Sequence, residues 1–200
     1  PVSYMIIYTT ARLRRLNLCL MTSFESVMPM TSESVSQPAR GHRLERLVEA
    51  VKPHGPLPTA VVAPHEASAL AGALQARDLG LITPILIGDL SAIRALAKDL
   101  GADLGGLTLV QAKDTIEAAD LGVACVRDGR ARALMKGHLH TDEFLRPVVR
   151  KDTGLRTRRR LSHVFVMDSP DLDHLILVSD AAMAIAPDLM QKAEIGRASC

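Results

Sequence analysis

The densest run of chemically able side chains lies between Ala133 and Pro147, ALMKGHLHTDEFLRP. An apolar start, Ala133-Leu134-Met135, passes into Lys136-Gly137; His138, His140, Thr141, the acidic pair Asp142-Glu143 and Arg146 follow closely. A lysine ammonium and exposed backbone N–H groups after a strand can hold an anion. A helix entered at Asp142 would add the positive end of its dipole. The same residues also fit a solvated strand-to-helix loop with a stop glycine. Spacing alone does not choose between the two, because one Lys-Gly pair falls far short of a glycine-rich phosphate fingerprint. His138 and His140 alternate with Leu139 and would share a face of an extended segment. Such a pair can ligate zinc, but no third ligand is spaced to join it, so loop histidines that form hydrogen bonds are the better reading.

A second run, Gly154-Leu-Arg-Thr-Arg-Arg-Arg-Leu-Ser-His163, places Arg156, Arg158, Arg159 and Arg160 near Lys151. Guanidinium groups could grip a phosphate or diphosphate in bidentate fashion; a solvated lead-in to a hairpin is the competing reading. Ser162 and His163 are adjacent, so on a strand they would point to opposite faces and could not act as nucleophile and base. Asp180 ends an apolar strand-like stretch, a place for either a functional carboxylate or a plain helix-starting Asp. Cys125, among Ala and Val in a helical stretch, reads as a buried inert thiol.

The elements that must position these groups follow from periodicity. Leu44, Leu47, Val48 and Val51 recur at helical spacing over 42–51, and Pro53, Gly55, Pro56 and Pro58 break that helix. Buried strands are expected at 59–63, 83–88, 107–110 and 133–135. Helices are expected from His65-Glu66 to Arg77, from Ser91 to Leu100, from an Asp114 N-cap partnered by Glu117 to about Val126, and from Asp142 to Val149. Strand and helix alternate, which implies βαβ units, a mostly parallel sheet and helices on both faces. Beyond Arg150 two strand-like runs, 161–167 and 174–179, flank a polar turn and read as an antiparallel hairpin. That is the start of a second lobe, and a cleft between lobes is a favoured place for a small-molecule site.

The expected organisation is therefore a disordered or non-native leader over 1–39, a first α/β domain over 40–150, the start of a second lobe over 151–194 and a non-native tail over 195–200. The leader begins with Pro rather than Met and shifts in composition. Ile195-Gly-Arg-Ala-Ser-Cys200 can be encoded by a common sequencing adapter.

Composition narrows the class. The 200 residues are 48% hydrophobic and 23% charged, as in soluble globular proteins. A net charge of +2 and 2% aromatic content argue against nucleic-acid binding. Cys19, Cys125 and Cys200 form neither a zinc spacing nor a disulfide framework, which fits a reducing, cytoplasmic setting. No apolar run reaches the length a membrane span needs.

At Met135-Lys-Gly-His-Leu-His-Thr141 with Phe144-Leu-Arg-Pro147, at Gly154-Leu-Arg-Thr157 with Arg160-Leu-Ser-His-Val164, and at Asp180-Ala-Ala-Met183 with Ile185-Ala-Pro-Asp-Leu189, the sequence resembles the phosphate acetyltransferase/phosphate butyryltransferase family. Pro84-Ile-Leu-Ile-Gly88 adds weaker support. The likeness runs from about Arg40 to Glu194 and is closest to the branch found alone or fused behind an enoyl-CoA hydratase-like domain.

The resemblance implies reversible acyl transfer between an acyl phosphate and coenzyme A, the latter as a substrate, with no tightly bound cofactor and no metal. It implies a two-lobed α/β fold related to isocitrate and isopropylmalate dehydrogenases, usually homodimeric. By motif position it places Thr141 and Arg146 in the cleft near acyl phosphate and phosphate. Lys136, Gly137, His140 and Ser162 line that cleft, and Asp180 joins the substrate-binding set. The aspartate the family is thought to use on the thiol belongs to its C-terminal part, beyond this sequence, so little or no turnover is expected of the chain as given. Arg158 stands where the family has Gly, and Ala184 where it has Asn. Two rival readings are a regulatory acyltransferase-like domain and a dehydrogenase of the related fold; the second would need a nucleotide signature and metal-binding carboxylates, neither of which is visible.

Overall fold

The runs Leu57–Val62 (β5), Ile82–Gly88 (β6), Thr108–Gln111 (β7) and Ala133–Lys136 (β8) form parallel strands in the computed structural model, side by side in the order β8-β5-β6-β7. The structure describes residues 2–3, 6–8, 20–21, 23–24, 43–157, 161–169, 172–180 and 186–199. Helices Ala67–Asp78 (α2), Leu90–Asp99 (α3) and Thr115–Arg127 (α4) connect the strands in turn. Arg43–Val51 (α1) precedes them and Thr141–Val148 (α5) follows β8. The α/β reading is confirmed, with a parallel sheet between two helix layers.

The sheet's two faces separate cleanly by the period-two rule for strands. Ala60, Val62, Ile85, Ile87 and Leu134 pack with α4 and α5 residues, among them Ala118, Ala119, Val123 and Phe144. Their sequence neighbours Val61, Leu86 and Met135 turn the other way, onto Leu70, Leu74 and Ile93 of α2 and α3. The helix starts are set by side chains: Asp89 Oδ1 accepts from Ser91 N at 2.9 Å, and Asp114 Oδ1 accepts from Glu117 N at 2.7 Å. Glu117 reaches back to Lys113 N at 2.7 Å, so the expected cap forms with its return bond shifted by one residue.

The hairpin is present but shorter than expected. Val164–Met167 (β9) and Ile176–Ser179 (β10) pair antiparallel, and residues 161–163 lie outside the strand. Arg43 fastens α1 to the connecting turn: its Nε donates to Asp168 Oδ1 at 2.7 Å, while the other guanidinium nitrogens reach Ser169 O and Leu172 O. Pro58, read as a breaker, lies inside β5; it sits one residue before the pairing with β8 begins, where a missing N–H is tolerated.

Within the stretch expected as a leader, four short strands are described: Val2–Ser3 (β1), Ile6–Tyr8 (β2), Leu20–Met21 (β3) and Ser23–Phe24 (β4). β2 lies antiparallel along β8, and β3 lies parallel along β9. The reason is local: Ile6-Ile7-Tyr8 is β-prone, and β8 without it would be an open edge. Leu189–Ser199 (α6) continues into the residues expected to be a non-native tail, and Ile195 within it is buried.

Candidate active site

The strand order contains a reversal. The chain steps from β5 to β6 to β7 in one direction, and β8 then lies on the opposite side of β5. Ligands in open α/β sheets collect at the carboxyl ends on either side of such a point. Here those ends are Val62-Ala63-Pro64-His65-Glu66 after β5 and Lys136-Gly137-His138 after β8. Two backbone hydrogen bonds join them: Gly137 N donates to Val62 O at 2.8 Å, and His138 N donates to Ala63 O at 2.7 Å. Ala63 adopts φ 51°, an uncommon conformation for a residue with a side chain. Gly137 is required by proximity: a Cβ on it would lie 2.4 Å from Ala63 O and 2.5 Å from Val62 O.

Lys136 folds over its own loop, donating to Leu139 O at 2.9 Å and Gly137 O at 3.3 Å. Burial pushes its ammonium pKa below the ordinary lysine range, opposed by the nearby Glu66 carboxylate. His138 Nδ1 meets Glu66 Oε2 at 2.9 Å, with both side chains exposed. His140 directly precedes α5, and its N donates to Glu143 Oε2 at 3.4 Å. Thr141 is the exposed first residue of α5. Arg146 is exposed too, and its ion pair with Asp142 is long, at 3.9 Å; such a surface pair holds a guanidinium weakly. Thr141 and Arg146 are five positions apart, so they stand about 140° apart around the helix. The structure thus brings Lys136, Gly137, His140 and Thr141 onto one strand-loop-helix turn and sets Arg146 further along.

His65, Glu66 and Asp89 were not among the sequence candidates, yet they border this loop. His65 Nε2 accepts from Asp89 N at 2.9 Å, so the imidazole is neutral and carries its proton on Nδ1. Burial lowers its pKa most, Asp89 opposes this, and His138 adds to it. The available signal was positional: Pro64-His65-Glu66 and Gly88-Asp89 end strands just as Lys136-Gly137 does.

A pH dependence follows. As pH falls below about 6.5 the unfolded chain takes up the His65 proton before the folded one does, so stability is full above that value and declines as pH drops through the lowered folded value. His163, also lowered chiefly by burial, acts in the same sense. Urea titrations are expected to give a lower unfolding free energy near pH 5 than near pH 7.5. His65→Gln, whose amide oxygen can replace Nε2 as acceptor, should recover the His65 share; an unchanged pH slope in that variant would show that His65 does not carry it.

Ser162 and Asp180 lie apart from the Lys136 loop, where the second sheet begins. Among the described residues no hydrogen bond or ion pair joins either to that loop. Leu161, however, packs against the same core cluster as Leu139 and Leu145. Because residues 161–163 are not in a strand, the opposite-faces argument does not apply to Ser162 and His163. The pair is still not a nucleophile and its base, since Ser162 Oγ is buried without a hydrogen-bond partner among the described residues. His163 is buried edge-on to Phe165, with ring centroids 4.2 Å apart at 85°.

Of the basic run, Lys151 and Arg156 are exposed, and 158–160 lie outside the described residues, as does Ala184. Cys125 is fully buried, which raises its thiol pKa. Among the described residues no group of three or more His, Cys, Asp or Glu side chains could hold a metal.

Residues 106–200 match the family model described as phosphate acetyl/butaryl transferase. That span holds all the residues the sequence singled out, from Lys136 to Asp180. Over these residues the chain is similar to the phosphate acetyl/butyryl transferase family. It is 43% identical over 158 residues to the phosphate acetyltransferase of Rhizobium meliloti, covering 79% of this chain and 50% of that relative. To the phosphate butyryltransferase of Clostridium acetobutylicum it is 33% identical over 136 residues, covering 68% and 45%. The chain thus spans half or less of the length of these relatives. In fold it is similar to a phosphotransacetylase from Streptococcus pyogenes, with a TM-score of 0.62 and 18% identity over 76% of this chain and 56% of that one. The EutD phosphotransacetylase from Staphylococcus aureus matches with a TM-score of 0.57.

Proposed function

We propose that the intact protein transfers a short acyl group reversibly between an acyl phosphate and coenzyme A, and that the Lys136–Thr141 turn with Arg146 forms the phosphate half of its site. The observation that carries this is the placement of the family's KGHLHT segment at the carboxyl end of β8, on the reversal of strand order. The helix α5 enters at Thr141 with its positive dipole end at the same place.

The chemistry suits these groups. A thiol with a pKa of about 8.5 gives up its proton to a base, and the thiolate attacks the acyl carbonyl carbon. The carbon–sulfur bond forms, the bond from carbon to the phosphate oxygen breaks, and phosphate leaves with the electron pair. What the protein must stabilise is the negative charge gathering on that phosphate. Arg146 offers an exposed guanidinium to it. Lys136, tied down by two carbonyl groups, supplies fixed positive potential from a partly desolvated position.

We further propose a two-lobed architecture akin to the isocitrate and isopropylmalate dehydrogenases, a homodimer, and a cytoplasmic location. The parallel sheet followed by a separate hairpin supports the first. No helix among the described residues is long and apolar enough to cross a membrane, which is compatible with the last. Acetyl is the preferred first substrate to test, since identity is higher to the acetyltransferase than to the butyryltransferase.

The test is to incubate the intact protein with acetyl phosphate and coenzyme A and follow free thiol and free phosphate together. One thiol lost for each phosphate released supports the reading; phosphate release without thiol loss would make the protein a hydrolase and overturn it. Lys136→Met keeps the stem and removes the charge. It is expected to weaken phosphate and acetyl phosphate binding by about tenfold, the size of one charge-assisted contact, while coenzyme A affinity holds. Calorimetric titration with each ligand checks this.

A further inference from the structure

His138 is held as a nucleophilic imidazole would be. Its Nδ1 lies 2.9 Å from Glu66 Oε2. A carboxylate only accepts hydrogen bonds, so Nδ1 carries the proton and the lone pair is on Nε2. Among the described residues no hydrogen bond engages Nε2, and the side chain is 66% exposed. The backbone fixes both partners. His138 N donates to Ala63 O at 2.7 Å, and His65 N, one residue before Glu66, donates to the same oxygen at 2.8 Å. Glu66 is also the N-cap residue of α2, yet its side chain makes no capping bond. An acceptor at that position can satisfy its own helix; this one reaches across to the β8 loop instead.

A second pair of the same kind supplies the contrast. His174 Nδ1 lies 2.7 Å from Asp173 Oδ1, and both side chains are exposed. Those two are sequence neighbours just before β10 and belong to neither the β5 nor the β8 strand end. The Glu66–His138 pair joins those two ends. It shares its loop with Lys136, whose Nζ donates to Leu139 O and Gly137 O, and the Glu66 carboxylate acts on that ammonium. Helix α5 starts three residues on, at Thr141, with its positive dipole end.

We infer that His138 Nε2 accepts a phosphoryl group from acyl phosphate, giving a phosphohistidine, with Glu66 as the positioning residue. This rests on the proposed acyl-phosphate site and adds a covalent step that transfer to a thiol does not require. The Nε2 lone pair attacks phosphorus. The nitrogen–phosphorus bond forms, the bond from phosphorus to the acyl oxygen breaks, and the carboxylate product leaves with the electron pair. The neutral imidazole becomes a cation, and the carboxylate at Nδ1 offsets its charge. Lys136 and the start of α5 meet the charge spread over the phosphoryl oxygens. Because these groups and the nucleophile share one turn, attack is directed to phosphorus rather than to the carbonyl carbon.

The test incubates the intact protein with acetyl phosphate, radiolabelled in its phosphate, without coenzyme A, and maps the product by mass spectrometry. The expected result is an acid-labile, alkali-stable phosphoryl group on His138. His138→Asn should abolish it and His174→Asn should leave it. Glu66→Gln can still accept from Nδ1 but has no charge. It is expected to slow labelling by about tenfold, the worth of one charge-assisted hydrogen bond, at an unchanged thermal midpoint. Labelling of Glu66→Gln at the wild-type rate would overturn the role given to Glu66. Equal label on His174 and His138 would overturn the inference, since exposure would then suffice. An acetyl group on His138 in place of a phosphoryl group would overturn it in favour of an acyl-enzyme. A wild-type protein that transfers acetyl to coenzyme A but takes no label overturns this inference and leaves acyl transfer standing. A protein that does neither overturns both.

Discussion

Gly137→Ala is expected to destabilise the protein by about 3 kcal/mol or more, the sum of an overpacking penalty and the loss of backbone hydrogen bonds. The added methyl would stand 2.4 Å from Ala63 O and 2.5 Å from Val62 O, and neither is a flexible side-chain end. Both carbonyls already accept from the β8 side, Val62 O from Gly137 N and Ala63 O from His138 N. Relieving the clash therefore means parting β8 from β5 at the point where the two strand ends form the floor of the site. Phosphate binding should fall with stability, because Lys136 precedes the displaced residue and the turn to Thr141 follows it. Gly105→Ala is the control: its new methyl meets only the exposed Asp103 carboxylate, at 3.1 Å, and a surface change of that kind costs about 0.5 kcal/mol or less. Urea denaturation of both variants decides the matter. A Gly137→Ala protein as stable as Gly105→Ala would mean that the β5–β8 junction has room the structure does not show.

Much of this junction was legible in the sequence, and the limit of legibility has a physical cause. Ala60-Val61-Val62, Ile85-Leu86-Ile87 and Leu134-Met135 are apolar runs with helical segments between them, which suffices to place strands of a helix-covered parallel sheet. The Asp114 cap could be read because its bond spans three residues. The neighbourhood of Lys136 could not. Glu66 and His65 lie some seventy positions away, and they border the loop only because β8 inserts beside β5 rather than beyond β7. Strand order depends on how helices cover the two faces, and periodicity along one strand carries no record of it. Ser162 shows the same limit at shorter range. Alternation suggested that a strand begins at Leu161, but pairing with β10 begins at Val164. The proposal of acyl transfer came from motif resemblance and likeness to the family, since Lys-Gly spacing alone fits a bland loop equally well.

Phe144→Ala is expected to cost about 3–5 kcal/mol, the usual range for emptying a buried aromatic site, and to impair phosphate binding without touching a ligand. Phe144 is 1% exposed and belongs to the core cluster of α4 and the sheet, against which Leu139, Leu145, Leu155 and Leu161 also pack. The chain has only three Phe and no Trp, so the surrounding Ala, Val and Leu side chains have little bulk with which to refill the space. The helix it anchors has eight residues, with Pro147 inside it. A helix of that length is not stable by itself, and the proline withholds one N–H from its ladder. The position of α5 is therefore set by what it buries, chiefly Phe144, Pro147 and Val148. Thr141 and Arg146 sit on the exposed part of this helix and inherit its position. Phe144→Leu, which retains most of the apolar volume, should restore much of both stability and phosphate affinity. Loss in the alanine variant with recovery in the leucine variant would trace the phosphate site to the packing of α5. If Phe144→Ala binds phosphate as tightly as wild type while unfolding more easily, Thr141 and Arg146 do not depend on that anchoring, and the contribution of α5 to the site reduces to the Lys136–His140 loop that precedes it.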